Sequence, residues 1–365
     1  GFEATVEIAL PTVDVPPGAE AHLGLRCVVT EEQPWAPVGH RVAWQQFDLP
    51  EAKQHPATTS SDASTAEPVE LDGDVAVAGD VTVRWDPDAA ALVDVALDGR
   101  SLLAGPVAAS LWRAPTENDG RRLDATTVPG ALAGWLALGL DRVEHEARKV
   151  TARRQADGSV QVTLRRRLHL PGLDKAIDHR QRLRVQGDGT VLVDEELALP
   201  RSLDDLPRIG ARFEVPATFD LLEWYGRGPL ESYVDRESSE QLGRWRSPVA
   251  EQYVPYVLPQ EHGHHTDTRW FVLADGDPAE GGSGLLVSST DRLEPFGFSA
   301  RHHHDADLYA ATTTAELQMS PTIEVHVDLV NRGLGTGACG PDTLAPYQVT
   351  GGPARWSWAL RPVRP

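Results

Sequence analysis

Apolar residues recur at every second position through most of this chain, and a period of two predicts strands rather than helices. Val6, Ile8 and Leu10 alternate with polar or small neighbours, and stretches 21–29 and 42–47 repeat the pattern, so the first 50 residues hold three or four strands. Pro16-Pro17-Gly18 is a turn signal between them. From Val75 the pattern restarts. Residues 81–85 alternate, and 92–97 run into Asp98-Gly99, a pair that favours a tight hairpin turn. Further strands are predicted at 160–170, 181–185, 191–199, 211–215, 284–288, 296–300 and 323–329. In the last of these Ile323, Val325, Val327 and Leu329 share one face. Trp356, Trp358 and Leu360 form a terminal strand. The one good helix candidate is 129–141, weakened by two internal glycines.

Many short strands at even spacing and almost no helix predict an all-β chain built as a large antiparallel sandwich. The first strands are too few for a complete sandwich, which needs about seven. We therefore expect residues 1–60 to be a partial β-sandwich containing only later strands. Residues 61–74 are expected to be a linker, after the small polar run at 55–61, and 75–365 the main domain. Truncated sheets leave unpaired edges, so the first strands should be loosely held or paired with another chain.

Four polar or glycine-rich loops stand out among the strands. Leu111-Trp-Arg-Ala-Pro-Thr-Glu-Asn-Asp-Gly120 follows an apolar run at 102–111. Pro115 ends any ladder there and Asn118-Asp119-Gly120 favours a turn. The others are 224–236, 258–270 and 332–342.

The formal net charge of −20 argues against nucleic acid or an anionic membrane as a partner, because both require basic patches. No apolar run approaches the ~18 residues of a membrane span, and no signal peptide is visible. Cys27 and Cys339 lie far apart and form neither a zinc spacing nor a disulfide framework, which fits a reducing, cytoplasmic setting. A chain that begins at Gly1 with Met319 as its only methionine reads as a piece of a longer protein. Ten tryptophans against seven phenylalanines offer faces for sugar stacking, although buried tryptophan in a core is the commoner role.

At its loops the chain resembles the C-terminal part of bacterial β-galactosidases of glycoside hydrolase family two. Trp35-Ala-Pro-Val-Gly-His-Arg-Val-Ala-Trp-Gln-Gln46 is similar to the last strands of their fourth, immunoglobulin-like domain. Four motifs are similar to those of their fifth domain, in order. These are Trp112-Arg-Ala-Pro-Thr-Glu-Asn-Asp119, Trp224-Tyr-Gly-Arg-Gly-Pro-Leu-Glu-Ser-Tyr-Val-Asp-Arg236, Tyr256-Val-Leu-Pro-Gln-Glu-His-Gly263 with Arg269, and Arg332-Gly-Leu-Gly335 through Asp342. The resemblance implies a large antiparallel β-supersandwich, similar to galactose mutarotase, preceded by a partial immunoglobulin-like sandwich. It also implies hydrolysis of terminal β-galactose residues by the full enzyme, on a catalytic barrel that lies upstream. No βαβ alternation exists in this chain, so the barrel is not in it. A retaining glycosidase needs two carboxyl groups about 5 Å apart. The resemblance puts both on the barrel, so no catalytic residue is expected here and the chain alone should be inactive. The implied partners are that barrel, further copies in a homo-oligomer, and carbohydrate. The family's Mg and Na are implied to lie outside this region, and no cofactor is expected within it.

The resemblance places Cys339 or Gly340, with Asp342, at the rim of the sugar site, where some members carry an aromatic residue. This chain has none there, which suggests a roomier subsite or a plain turn. Glu261 and His262 supply the base and acid a mutarotase-like epimeriser would use, or they stitch loops together by hydrogen bonds. Arg113 with Asn118 and Asp119 either organises a buried ion pair or meets sugar or barrel. Trp224, Glu231 and Arg269 are candidates for sugar or domain contact. A carbohydrate-binding module acting alone remains the rival reading. The histidine run at 262–265 and His302-His303-His304 with Asp305 and Asp307 raise a metal site. Neighbouring strand residues point to opposite faces, so no physiological metal is expected from these runs.

Overall fold

The computed structural model describes all residues except 1–2, 11–12, 14, 16–18, 50–67, 122–129, 278–279, 291–293 and 365. It divides into two compact units, Gly1–Asp62 and Ala63–Pro365.

Within the first unit, His22–Val28 and Arg41–Asp48 form an antiparallel two-stranded ribbon, from His22 opposite Asp48 to Val28 opposite Arg41. Little of it is covered. Val28, Val42 and Phe47 are about half exposed, and among the described residues of this unit Ala36 is the one apolar residue that is buried. The strand expected at Val6, Ile8 and Leu10 does not form: the three side chains are exposed and their backbone is unpaired. Alternation gives a strand its two faces, but a strand also needs an edge to pair with, and no described residue supplies one. The turn expected at residues 16–18 lies outside the described residues.

The second unit is nearly all strand. Its nine-stranded sheet runs, in spatial order, Gln241–Pro248, Leu221–Gly228, Trp270–Ala274, Gly284–Ser289, Pro353–Val363, Val191–Ala198, Ile177–Val185, Val160–His169 and Glu144–Arg154. A five-stranded sheet runs His264–Thr268, Phe296–Arg301, Thr322–Asn331, Arg208–Pro216 and Ala108–Ser110. Neighbouring strands in both are antiparallel. The sheets face each other across one core. Trp358 of the larger stacks on Phe213 of the smaller at 5.9 Å, and Phe271 stacks on Phe298 at 4.4 Å. Val160, Val162 and Leu164 are fully buried on that face, and burying each such side chain contributes roughly 1.5–3 kcal/mol. This is the expected large antiparallel sandwich.

A second five-stranded sheet, Glu70–Asp72 through Arg100–Ser101, is a meander. Its last turn is Asp98-Gly99, both with positive φ (51° and 77°), as a hairpin of that type requires. Its first strand falls inside the expected linker, because Gly73 at φ 57° turns the chain and lets Glu70 pair with Val77. The helix is Ala131–Leu138, closed by Gly139 at φ 76°, whose N–H donates to the Leu136 carbonyl. No helix among the described residues is long and apolar enough to cross a membrane.

Two expected loops are partly strand: residues 224–228 end the strand Leu221–Gly228, and His264–Thr268 is a strand within the 258–270 stretch. The apolar run 102–111, expected as a strand, forms one only over Ala108–Ser110. Leu329, expected inside with Ile323, is 39% exposed. The register shifts between Ile209 and Gly210, which face Val330 and Asp328, so Leu329 is the extra residue and turns outward.

Candidate functional site

Arg113 leaves the strand Ala108–Ser110 just before the Asn118–Asp119 turn and is fully buried. A buried guanidinium must satisfy its charge and its five N–H donors. Its Nη2 donates to both Asp119 oxygens at 2.9 and 3.1 Å, and its Nη1 donates to Asn331 at 2.8 Å and to the Arg332 carbonyl. Asp119, also fully buried, accepts from Arg332 Nη1 at 3.0 Å and from the Thr116 N–H at 2.8 Å. Arg332 continues to Asp205 and to Asp342, both at 2.9 Å. Asn118 closes the set: its amide donates to the Gly335 carbonyl and its oxygen accepts from the Ala338 N–H, each at 3.0 Å. The 111–120 and 332–342 loops are therefore one hydrogen-bonded body around two buried arginines. Cys339 and Gly340 cap it, donating their N–H groups to the Thr336 carbonyl, and Cys339 is an exposed free thiol.

Glu261 and His262 lie next to this body, since the Glu261 N–H donates to the Ala114 carbonyl. The Glu261 carboxylate is buried, and each oxygen takes a different guanidinium: Arg208 at 3.1 Å and Arg301 at 2.9 Å. Burial alone would raise its pKa, but Arg301, Arg208 and Arg113 outweigh it and hold the carboxyl below the usual range. A carboxylate so held is a poor proton acceptor. His262 donates from Nδ1 to the Gln260 carbonyl at 2.9 Å, and burial followed by Arg301 lowers its pKa to about 4. Its neutral Nε2 has no hydrogen-bond partner. It lines a cavity of about 100 Å³ with Tyr253, Arg301, His302, His303 and Met319. Ligand clefts start near ~300 Å³.

The remaining candidates are structural in their contacts. Glu231 accepts from the Tyr256 hydroxyl at 2.5 Å and from the Gly263 N–H at 2.7 Å, which pins the loop before Glu261. Trp224 is 1% exposed, lies 4.5 Å from the His265 ring, and donates to the Arg227 carbonyl, so it offers no face to a sugar. Arg269 lies over the Tyr225 ring at 5.8 Å and donates to the Asp267 carbonyl.

A larger groove of about 540 Å³ lies on the nine-stranded sheet among Arg148, Lys149, Arg165, Arg167 and Arg180. Its two carboxylates are Asp178, bonded to Arg167 at 3.3 Å, and Glu196, bonded to Arg180 and Arg355. The Arg355 bond, with Arg180 beside it, outweighs burial and lowers the Glu196 pKa, the opposite of what a general acid needs.

Residues that the sequence did not single out form the core of the polar body: Arg208, Arg301, Glu324, His326 and Asp328, all at most 1% exposed. For Glu324, His326 and Asp328 the signal lay in 323–329, where they occupy the positions between the apolar residues.

Comparison with known proteins follows the same outline. The family model "Beta galactosidase small chain" matches residues 77–360, and "Beta-galactosidase, domain 4" matches residues 3–50. The chain belongs to the β-galactosidase small chain family. A β-galactosidase of Arthrobacter sp. strain B7 is 31% identical over 370 residues, covering 94% of this chain and 33% of that protein. One from Vibrio cholerae is 31% identical, covering 91% of this chain and 31% of that protein. The chain thus spans about a third of the length of these relatives. A putative aldose 1-epimerase from Escherichia coli K12 superposes with a TM-score of 0.41 at 12% identity, over 80% of this chain and 98% of that one. A likeness at that level supports no argument about function.

Proposed function

We propose that this chain is the C-terminal, non-catalytic region of a retaining, cytoplasmic β-galactosidase. The full enzyme hydrolyses terminal β-galactose residues; this part walls the active-site rim with the 332–342 loop and contributes to the oligomer interface. One observation carries the reading. The relatives match almost all of this chain with only a third of their own length, so two thirds of each lies outside it. The geometry agrees. Glu261 and Asp119 are locked against guanidinium groups, and a glycosidase acid must instead have a raised pKa. Epimerisation by Glu261 and His262 is disfavoured for the same reason, together with a cavity too small for a sugar. The purified chain should show no turnover of a nitrophenyl β-galactoside and no saturable heat with galactose. Turnover by the chain alone would overturn the reading.

A further inference from the structure

We propose that Asp305, Glu324 and His326 form a structural site for a divalent, zinc-like metal ion inside the second unit. His326 and Glu324 project from the strand Thr322–Asn331, and Asp305 opens the short helix Asp305–Ala310. All three are buried, and one ligand atom from each lies within 4.8 Å of the others. His326 is 1% exposed, yet neither of its ring nitrogens has a hydrogen-bond partner, a costly state for a buried imidazole.

Its Nε2 is aimed between two carboxylates, 3.4 Å from Asp305 Oδ2 and 3.3 Å from Glu324 Oε2. Those separations exceed the ~2.7–2.9 Å of an imidazolium bonded to a carboxylate. They match the edge of a tetrahedron, roughly 3.3–3.6 Å, that follows from zinc–ligand bonds of ~2.0–2.2 Å. The other oxygens of the pair are engaged elsewhere: Asp305 Oδ1 accepts from Arg301 at 2.6 Å, and Glu324 Oε1 from Arg212 at 2.8 Å, while Glu324 Oε2 accepts the Asp305 N–H at 2.8 Å and keeps a further lone pair for the ion. Such outer contacts orient the ligand oxygens towards the shared corner.

Two carboxylates and one imidazole suit zinc and its neighbours, and the ion would tie the helix Asp305–Ala310 to the strand beneath it.

The test uses the whole chain, stripped with chelator and then titrated with Zn²⁺ by calorimetry and with Co²⁺ by visible absorption. One equivalent should bind, the cobalt form should give a tetrahedral d–d band, and zinc should raise the melting temperature. His326→Ala should weaken binding by more than the ~10–100-fold that loss of an outer-shell partner costs. His303→Ala should leave binding unchanged. Absence of a cobalt band and of saturable heat in the folded chain overturns the site. So does full binding by His326→Ala, or loss of binding in His303→Ala, which would move the ion to the 302–304 run.

Discussion

Asp119→Ala tests whether the polar body is held by buried charge. Asp119 is fully buried and receives two guanidinium groups, Arg113 at 2.9 Å and Arg332 at 3.0 Å, and the Thr116 N–H at 2.8 Å. Removing it strands the buried Arg113 charge, while Arg332 keeps Asp205 and Asp342, and breaking one partner of a buried pair costs about 3–5 kcal/mol. The orphaned Thr116 N–H adds about 1–3 kcal/mol. The expected loss is about 4–8 kcal/mol, a large part of the ~5–15 kcal/mol that holds a domain. Asp119→Asn keeps the shape and one acceptor but loses the charge, and should fall between wild type and alanine. Urea unfolding followed by tryptophan fluorescence reads the effect, since eight of the ten tryptophans lie beyond residue 62. The midpoint should drop by about 2–3 M for a slope near ~2.5 kcal/mol per M, with the slope itself unchanged. High salt should not rescue the variant, because buried pairs are little screened. A loss within ~1 kcal/mol would refute the argument that this pairing organises the loops.

Acid should weaken the fold through histidine. Burial lowers His262 to about 4 and His265 to about 3, each from an ordinary value of 6.5, with Arg301 adding to the first and His264 to the second. Between pH 6.5 and 4 the unfolded chain binds a proton at each and the folded chain does not. Stability is therefore full above pH 6.5 and falls with pH, by about 1.4 kcal/mol per unit per histidine; a flat urea midpoint from pH 7 to 5 contradicts this. Trp224→Ala should cost about 3–5 kcal/mol, as a buried aromatic does, and leave any response to galactose unchanged; a mild loss of stability with a loss of sugar binding would restore the stacking role. Polarimetry on fresh α-galactose should show only the spontaneous rate with the wild-type chain, and acceleration abolished by Glu261→Gln would reinstate an epimerase.

The strands were legible because a half-buried strand writes its burial at every second residue. Asp98-Gly99 was legible because few pairs tolerate positive φ twice in succession. Pairing partners were not legible. Val6, Ile8 and Leu10 alternate as well as any strand here, and nothing within the described residues meets them. The polar core was hidden for a related reason. Glu324, His326 and Asp328 alternate with Ile323, Val325 and Val327, so they read as a solvated face. In the fold that face is covered too, by Arg208, Arg301 and the helix at Asp305. Motif residues such as Arg113, Asp119 and Arg332 were found because they sit in recognisable loops. Arg208 and Arg301 lie on plain strands and carry no such mark.

The most direct measurement of the account is reconstitution. The remainder of the proposed full-length enzyme, expressed without this region, is assayed on a nitrophenyl β-galactoside alone, then mixed with the purified chain. The account predicts negligible turnover from either part and activity in the mixture that co-elutes with a complex of the two on gel filtration. Full activity of the remainder by itself would contradict it.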